Sequence, residues 1–249
     1  MASRRVCLPR REPGWRSRNP DLNGGPQQVN ELGFFRNIFG VDNPTGAGVG
    51  ARVSEPTLRR STGFHEFIRA IGKPEGQAVL DLGPTSPANL HFITGLGHRA
   101  YNEDLLLAAS NPELLIPAPG AEDKRTVNVV RFLAENLDYE PETFDAVLLW
   151  DLADYLPEAV VKSAIDRLHR VMKPKGILFG FFHTKDAGPE APYYRFNIAA
   201  ADTIELRQGP HFQLQRVFNN RHVENLFHDY SSVKFFLGRD NMREVLVIR

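Results

Sequence analysis

Two groups of polar residues in this chain have the types and spacing that chemistry requires. The first is Asp81, Gly83, Pro84, Thr85 and Ser86, with a pair of acids, Glu103 and Asp104, following 22 and 23 residues after Asp81. A glycine has no Cβ, so the backbone at Gly83 can come close to a small molecule, and the Thr85 and Ser86 hydroxyls are available as partners. An acid about 20 residues beyond such a turn is placed to accept hydrogen bonds from both hydroxyls of a ribose. The second group is Asp151, Asp154 and His183. Each can act as a general base toward an oxygen or nitrogen nucleophile that is protonated at neutral pH. Two of them also have a structural alternative: helix capping or solvent exposure for Asp151, and a structural hydrogen bond for His183.

The surrounding patterns say which elements position these groups. Val79, Leu80 and Leu82 form an apolar run around Asp81 that breaks at a Gly/Pro/Ser/Thr turn, the pattern of a buried strand ending in a tight loop. Ser86 reads as an N-cap with Pro87 at the first helical position. A short helix then runs over Ala88 to Ile93, Gly95 and Gly97 end it, and His98 to Asn102 reads as a second strand delivering Glu103 and Asp104. Phe144 to Trp150 is near-continuously apolar, as a buried parallel strand should be, and carries Asp151 at its end. Glu158 to Met172 is an amphipathic helix, Pro174 and Gly176 turn the chain, and Ile177 to Phe182 forms a strand that leads to His183. Upstream, Ser54 is predicted to cap a helix in which Phe64, Phe67, Ile68 and Ile71 make one stripe. Leu105 to Ala109 reads as a helix, and Pro112 to Gly120 as a loop. The spacing then predicts a helix to about Leu133 and strand or irregular structure over Asn136 to Tyr139. Tyr193–Ile198 and Thr203–Arg207 suggest a hairpin or lid, with Tyr193, Tyr194, Arg195 and His211 as candidate substrate contacts. A helix that starts at Asn219 or Asn220 and runs through Arg221 to Phe227, and a hairpin of Val233–Leu237 with Glu244–Ile248, complete the pattern.

The acid at Asp81, the glycine at Gly83 and the order of the elements resemble the class I S-adenosylmethionine-dependent methyltransferases. The other two glycine places of that family's first motif hold Thr85 and Pro87. The stretch RLHRVMKPKGILFGFF is similar to the family's helix, turn and strand, and a terminal antiparallel hairpin separates this fold from dehydrogenase Rossmann folds. The resemblance implies an α/β, three-layer, doubly wound, seven-stranded mostly parallel sheet. It also implies S-adenosyl-L-methionine as cofactor, with Asp81, Gly83, Pro84, Thr85, Ser86, Glu103, Asp104, Asn136, Leu137, Trp150 and Asp151 in its site. Glu135, Asn136 and Leu137 are the candidates for the adenine contact, Trp150, Asp151 and Tyr155 for the pocket beside the methionine part, and Asp151, Asp154 and His183 for catalysis. The Asn/Asp-Pro-Pro-aromatic motif of amino methyltransferases is absent, since Trp150-Asp151-Leu152-Ala153 stands there. A small-molecule methyl acceptor is expected. A non-catalytic binding or scaffold protein of the same fold is the alternative, motivated by Thr85 and Pro87. A nicotinamide-dependent oxidoreductase ranks last for want of the G-x-G-x-x-G spacing.

Composition narrows the partners. The 249 residues are 42% apolar, with 30 basic and 30 acidic side chains. The first twenty residues hold six arginines and one glutamate, so the remainder carries a net charge of minus five, and an extended polyanion is not an expected partner. The single cysteine, Cys7, excludes an intrachain disulfide and a cysteine-based metal site, and no metal is expected. Residues 1–52 read as a flexible basic tail and 53–249 as the domain. No apolar run reaches the roughly 18 residues of a membrane span, and a cytoplasmic setting is expected.

Overall fold

The computed structural model describes residues 55–185, 193–210, 212–238 and 240–249. The expectations for the basic tail, for Ser54 and for His211 lie outside them.

The central sheet has six strands among the described residues: β1 (Thr57–Arg60) lies apart, and β2 (Ala78–Asp81), β3 (Arg99–Asn102), β6 (Phe144–Trp150), β7 (Met172–His183), β10 (Ser232–Leu237) and β11 (Met242–Ile248) assemble in the order β10-β11-β7-β6-β2-β3. β2, β3, β6 and β7 pair in parallel, and β11 inserts antiparallel between β7 and β10. From β2 the chain steps outward to β3, then crosses back to build β6 and β7 on the other side. The direction therefore reverses between β2 and β6, and that switch point is where an open α/β sheet forms its ligand crevice.

The expected seventh strand is not in this sheet. The helix α4 (Val129–Asn136) runs three residues past Leu133 to Asn136, Leu137 caps it, and residues 137–139 are irregular, as one of the two alternatives expected for Asn136–Tyr139 had it. The loop expected over Pro112–Gly120 instead opens a separate two-stranded hairpin, β4 (Leu115–Ala118) with β5 (Ala121–Val127). Helical spacing through Val127, Val130 and Ala134 masked this boundary, because Asn128 stops the strand and caps the helix by accepting from the Arg131 amide.

Both faces of the sheet are covered. On one lies α1 (Thr62–Ile71), which starts at Ser61, whose hydroxyl accepts from Phe64 N at 3.0 Å, rather than at Ser54. Residues 57–60 are extended before it. Its stripe Phe64, Phe67, Ile68 and Ile71 packs on Phe179, Phe181 and Trp150, each buried large side chain being worth about 1.5–3 kcal/mol. The same face carries α2 (Pro87–Gly95) and a second sheet of three strands, β1-β9-β8, with β8 (Tyr194–Ala200) and β9 (Thr203–Gln208) forming the hairpin expected there. The opposite face holds α3 (Leu105–Ala109), α4, α5 (Leu152–Tyr155), α6 (Glu158–Val171) and α7 (Asn220–Leu226) over Leu80, Val147, Leu149 and Leu178.

Arg59 joins the two sheets. Its guanidinium reaches Glu244 at 2.5 Å and Asp240 at 2.6 Å and lies over the Phe181 ring. Glu244 also accepts from the Gly63 amide at 2.7 Å, so its carboxylate is satisfied from two elements.

Candidate functional site

The first group of polar residues meets at the switch point. Ser86 caps α2 with Pro87 at its first position, as the sequence implies. Asp81, at the end of β2, is 2% exposed. One carboxylate oxygen accepts from the Gly83 amide at 3.0 Å and from the indole Nε1–H of Trp150 at 2.7 Å, and the other accepts from Asn89 at 2.8 Å. Burial pushes the Asp81 carboxyl upward in pKa, and these three donors oppose that shift. Asn102, at the end of β3, donates to the Asp81 and Gly83 carbonyls and accepts from the Thr85 hydroxyl, which ties the turn down from its other side.

Trp150 occupies the crevice itself. A register shift between β6 and β7 near Leu148 turns the strand end, and Trp150 sits at φ 52°, in the left-handed region where bulky residues are outliers. Its indole stacks parallel to Phe196 of β8, ring centroids 5.3 Å apart, and also stacks on Phe181 from β7. A Cβ built on Gly83 would lie 2.8 Å from Trp150 Cδ1. The close approach that the glycine permits is thus taken up by the protein's own tryptophan. Phe196 is held in turn by α2: Asn89 donates to the Phe196 carbonyl and accepts from the Ile198 amide at 2.7 Å, while Ser86 donates to Asn197.

The acids expected to follow this turn stand beside it. Glu103 stands half-buried at the C-terminal end of β3, with the Tyr139 hydroxyl donating to its carboxylate. Asp104 caps α3 by accepting from the Leu107 amide at 3.0 Å. Pro84 is partly exposed and Thr85 exposed beside the turn. At the other end the space beside Gly83 becomes available only if the Trp150 indole leaves it.

Asp151 follows Trp150 directly, so the second group adjoins the first. Asp154 is fully buried. One of its oxygens accepts from the His183 backbone amide at 2.6 Å and lies 2.8 Å from His183 Nδ1, while the other has no hydrogen-bond partner. Burial works against charging His183, but the hydrogen bond to Asp154 and the charges of Asp151 and Asp154 prevail, and its pKa is raised. Asp151 is 2% exposed and makes no capping hydrogen bond. Burial pushes it up to about 7, with His183 pulling down and Asp154 pushing further up. Tyr155 packs edge-on against both His183 and Tyr193. Burial, then the neighbouring acids, pushes both phenols above their ordinary range, which keeps them neutral.

Two members of the expected set lie elsewhere. Leu137 is wholly buried in the core cluster that includes Phe144 and Leu168, and Asn136 spends its amide on the Phe132 carbonyl at 2.8 Å. Sequence reasoning missed Asn89, Tyr139, Phe196 and Asn197. Asn89 has a detectable signal, a polar residue one turn inside a helix that follows a ligand-type loop, whereas Phe196 is an ordinary strand residue without one. A groove of about 540 Å³ between α6 and α7, lined by Lys162, Arg216 and His222 among others, contains none of the expected site residues. Among the described residues no three His, Cys, Asp or Glu side chains are grouped to hold a metal ion, and no helix is long and apolar enough to cross a membrane.

The family model described as a methyltransferase domain matches residues 81–180, from the acid of β2 to the middle of β7. The match spans 100 of the 249 residues, and in its strand order the chain is similar to the class I, Rossmann-like S-adenosylmethionine-dependent methyltransferases. S-adenosylmethionine is the methyl donor of that class. Among solved structures, the chain is similar to a 1,6-didemethyltoxoflavin-N1-methyltransferase from Burkholderia thailandensis at 13% identity, covering 75% of this chain and 76% of that one with a TM-score of 0.41. It is also similar to a SAM-dependent methyltransferase from Methanosarcina mazei at 15% identity (73% and 96% covered, TM-score 0.41) and to one from Aquifex aeolicus at 15% identity (74% and 88% covered, TM-score 0.39). No curated protein matches the sequence.

Proposed function

We propose that this chain transfers a methyl group from S-adenosylmethionine to a small-molecule acceptor whose attacking oxygen or nitrogen carries a proton at neutral pH. The observation that carries the reading is the methyltransferase-domain match lying over the strands whose C-terminal ends bear Asp81, Glu103 and Asp151. When bound, the donor supplies an electrophilic methyl on a sulfonium. Glu103, with Asp104 beside it, would take the ribose hydroxyls, Asp81 and Gly83 would border the methionine part, and the buried aromatic wall would exclude water. His183 receives the acceptor's proton. Asp154 fixes the imidazole through Nδ1, which leaves Nε2 as the basic nitrogen and stabilises the imidazolium that forms.

Calorimetric titration with S-adenosylhomocysteine tests the donor half of this reading. Saturable binding that weakens in Glu103→Gln supports it, and the absence of heat in the native chain and in variants of the crevice refutes it. A second reading, a non-catalytic binding protein on the same fold, is favoured by the indole seated against Gly83. Donor binding with no methyl transfer across a broad acceptor panel would select it.

A further inference from the structure

Trp150 combines three features that an ordinary core residue does not share. Its backbone is held at positive φ, a strain of order 1–3 kcal/mol that persists only where surroundings impose it. Its ring fills the crevice between β2 and β6, at the reversal of strand order where ligands of such sheets bind. Its polar edge bonds a carboxylate, Asp81, and its face stacks on a ring from a different sheet, Phe196. The indole also meets Phe64, Phe179 and Phe181, but its hydrogen bond and its nearest ring, Phe196, lie at the crevice, and a ligand that competes for those two contacts can release it.

We propose that Trp150 is a gate on the donor cleft, closed in this structure, and that a nucleoside sulfonium enters only when the indole leaves Asp81 and Phe196. The proposal rests on the methyl-donor reading above. In the closed state the indole excludes water and ligand from Gly83. In the open state the Asp81 carboxylate gains a vacant acceptor position for a cationic or N–H group of the ligand. Phe196 belongs to the β1-β9-β8 sheet, which Arg59 ties to the β10–β11 turn. The gate is thus supported from outside the central sheet, and anything that shifts β8 changes how firmly it is shut. Apparent affinity for a site reached from a minor state falls by the fraction of molecules that are open.

The chain has two tryptophans, Trp15 and Trp150, so Trp15→Phe in the 249-residue chain leaves Trp150 as the sole indole reporter. Addition of S-adenosylhomocysteine to that protein is expected to red-shift the emission and raise its quenching by acrylamide as the indole moves into water. Trp150→Ala is expected to bind S-adenosylhomocysteine about 10- to 1000-fold more tightly than the native chain by calorimetry, the range set by an open state populated at roughly 0.1–10%. Phe196→Leu keeps the reporter and removes the stack, and its affinity should lie between the two, which guards against misfolding of the alanine variant. Binding that leaves the Trp150 emission unchanged, or equal affinity in all three proteins, overturns the gate and leaves the methyl-donor reading standing. Binding by none of them, with native circular dichroism, overturns both.

Discussion

Asp151 is the residue whose environment makes the sharpest quantitative demand. Its carboxyl titrates at about 7 in the fold against an ordinary value of 3.8, chiefly because burial penalises the charged form. Since the folded value lies above the unfolded one, the carboxyl's contribution to stability is fully present below pH 3.8 and is lost as the pH climbs to about 7. At about 1.4 kcal/mol per pH unit, the accumulated loss is about 1.6 kcal/mol at pH 5 and about 4 kcal/mol at pH 8. Asp151→Asn keeps the shape and abolishes the titration. Relative to the native chain it should therefore gain about 2.5 kcal/mol of stability between pH 5 and pH 8. The groups facing Asp151 are His183, Asp154, Tyr155 and Tyr193, and both tyrosines stay neutral throughout that interval. Urea denaturation followed by circular dichroism at the two pH values provides the comparison. A difference between native and variant that stays constant with pH, within about 0.5 kcal/mol, would show that Asp151 titrates like an exposed carboxyl and that the buried acid–histidine cluster has been misjudged.

Three further outcomes are expected. Arg59→Ala strips Glu244 of its buried partner and should cost about 3–5 kcal/mol in a urea titration, whereas Lys234→Ala, which breaks an exposed pair with Glu66, should cost less than about 1 kcal/mol. Gly83→Ala places a methyl against the Trp150 ring and should cost about 1–3 kcal/mol, read as a lower urea midpoint, with the loss reduced when Trp150 is also alanine. In a methylation assay, kcat should rise with pH through the raised pKa of His183, because only the neutral imidazole accepts a proton. His183→Ala should lower kcat by about 10²–10⁴-fold and abolish that limb of the profile; an unchanged profile would remove His183 from the reaction.

The strands and helices bordering the crevice were legible in the sequence because each is specified locally. The apolar run around Asp81, the Ser86-Pro87 start of α2 and the near-continuous Phe144–Trp150 run all reappear as elements with nearly the expected bounds. The stretch from Leu115 to Asn136 was not legible, since its apolar spacing fits a helix while Asn128 divides it into a strand and a helix. The acids at Asp81, Glu103 and Asp151 sit at strand ends, as periodicity places them. What each one bonds to was hidden, because the donors to Asp81 come from residues 2, 8 and 69 positions away, and the ring beneath Trp150 comes from a hairpin that pairs with a different sheet. Local pattern specifies where a side chain starts, and long-range packing specifies what it meets.

The link from Arg59 to Asp240 and Glu244 spans 181 and 185 residues of sequence. During synthesis, the strand that carries Arg59 leaves the ribosome long before its carboxylate partners exist, and at roughly 5–20 residues per second the wait is on the order of ten seconds or more. Until β11 slots in beside β7, the guanidinium has no buried counter-charge, so the three-stranded sheet cannot settle on the Phe181 face. A nascent chain halted before residue 240 should therefore remain sensitive to protease in the three-stranded sheet, over Thr57–Arg60 and Tyr194–Gln208.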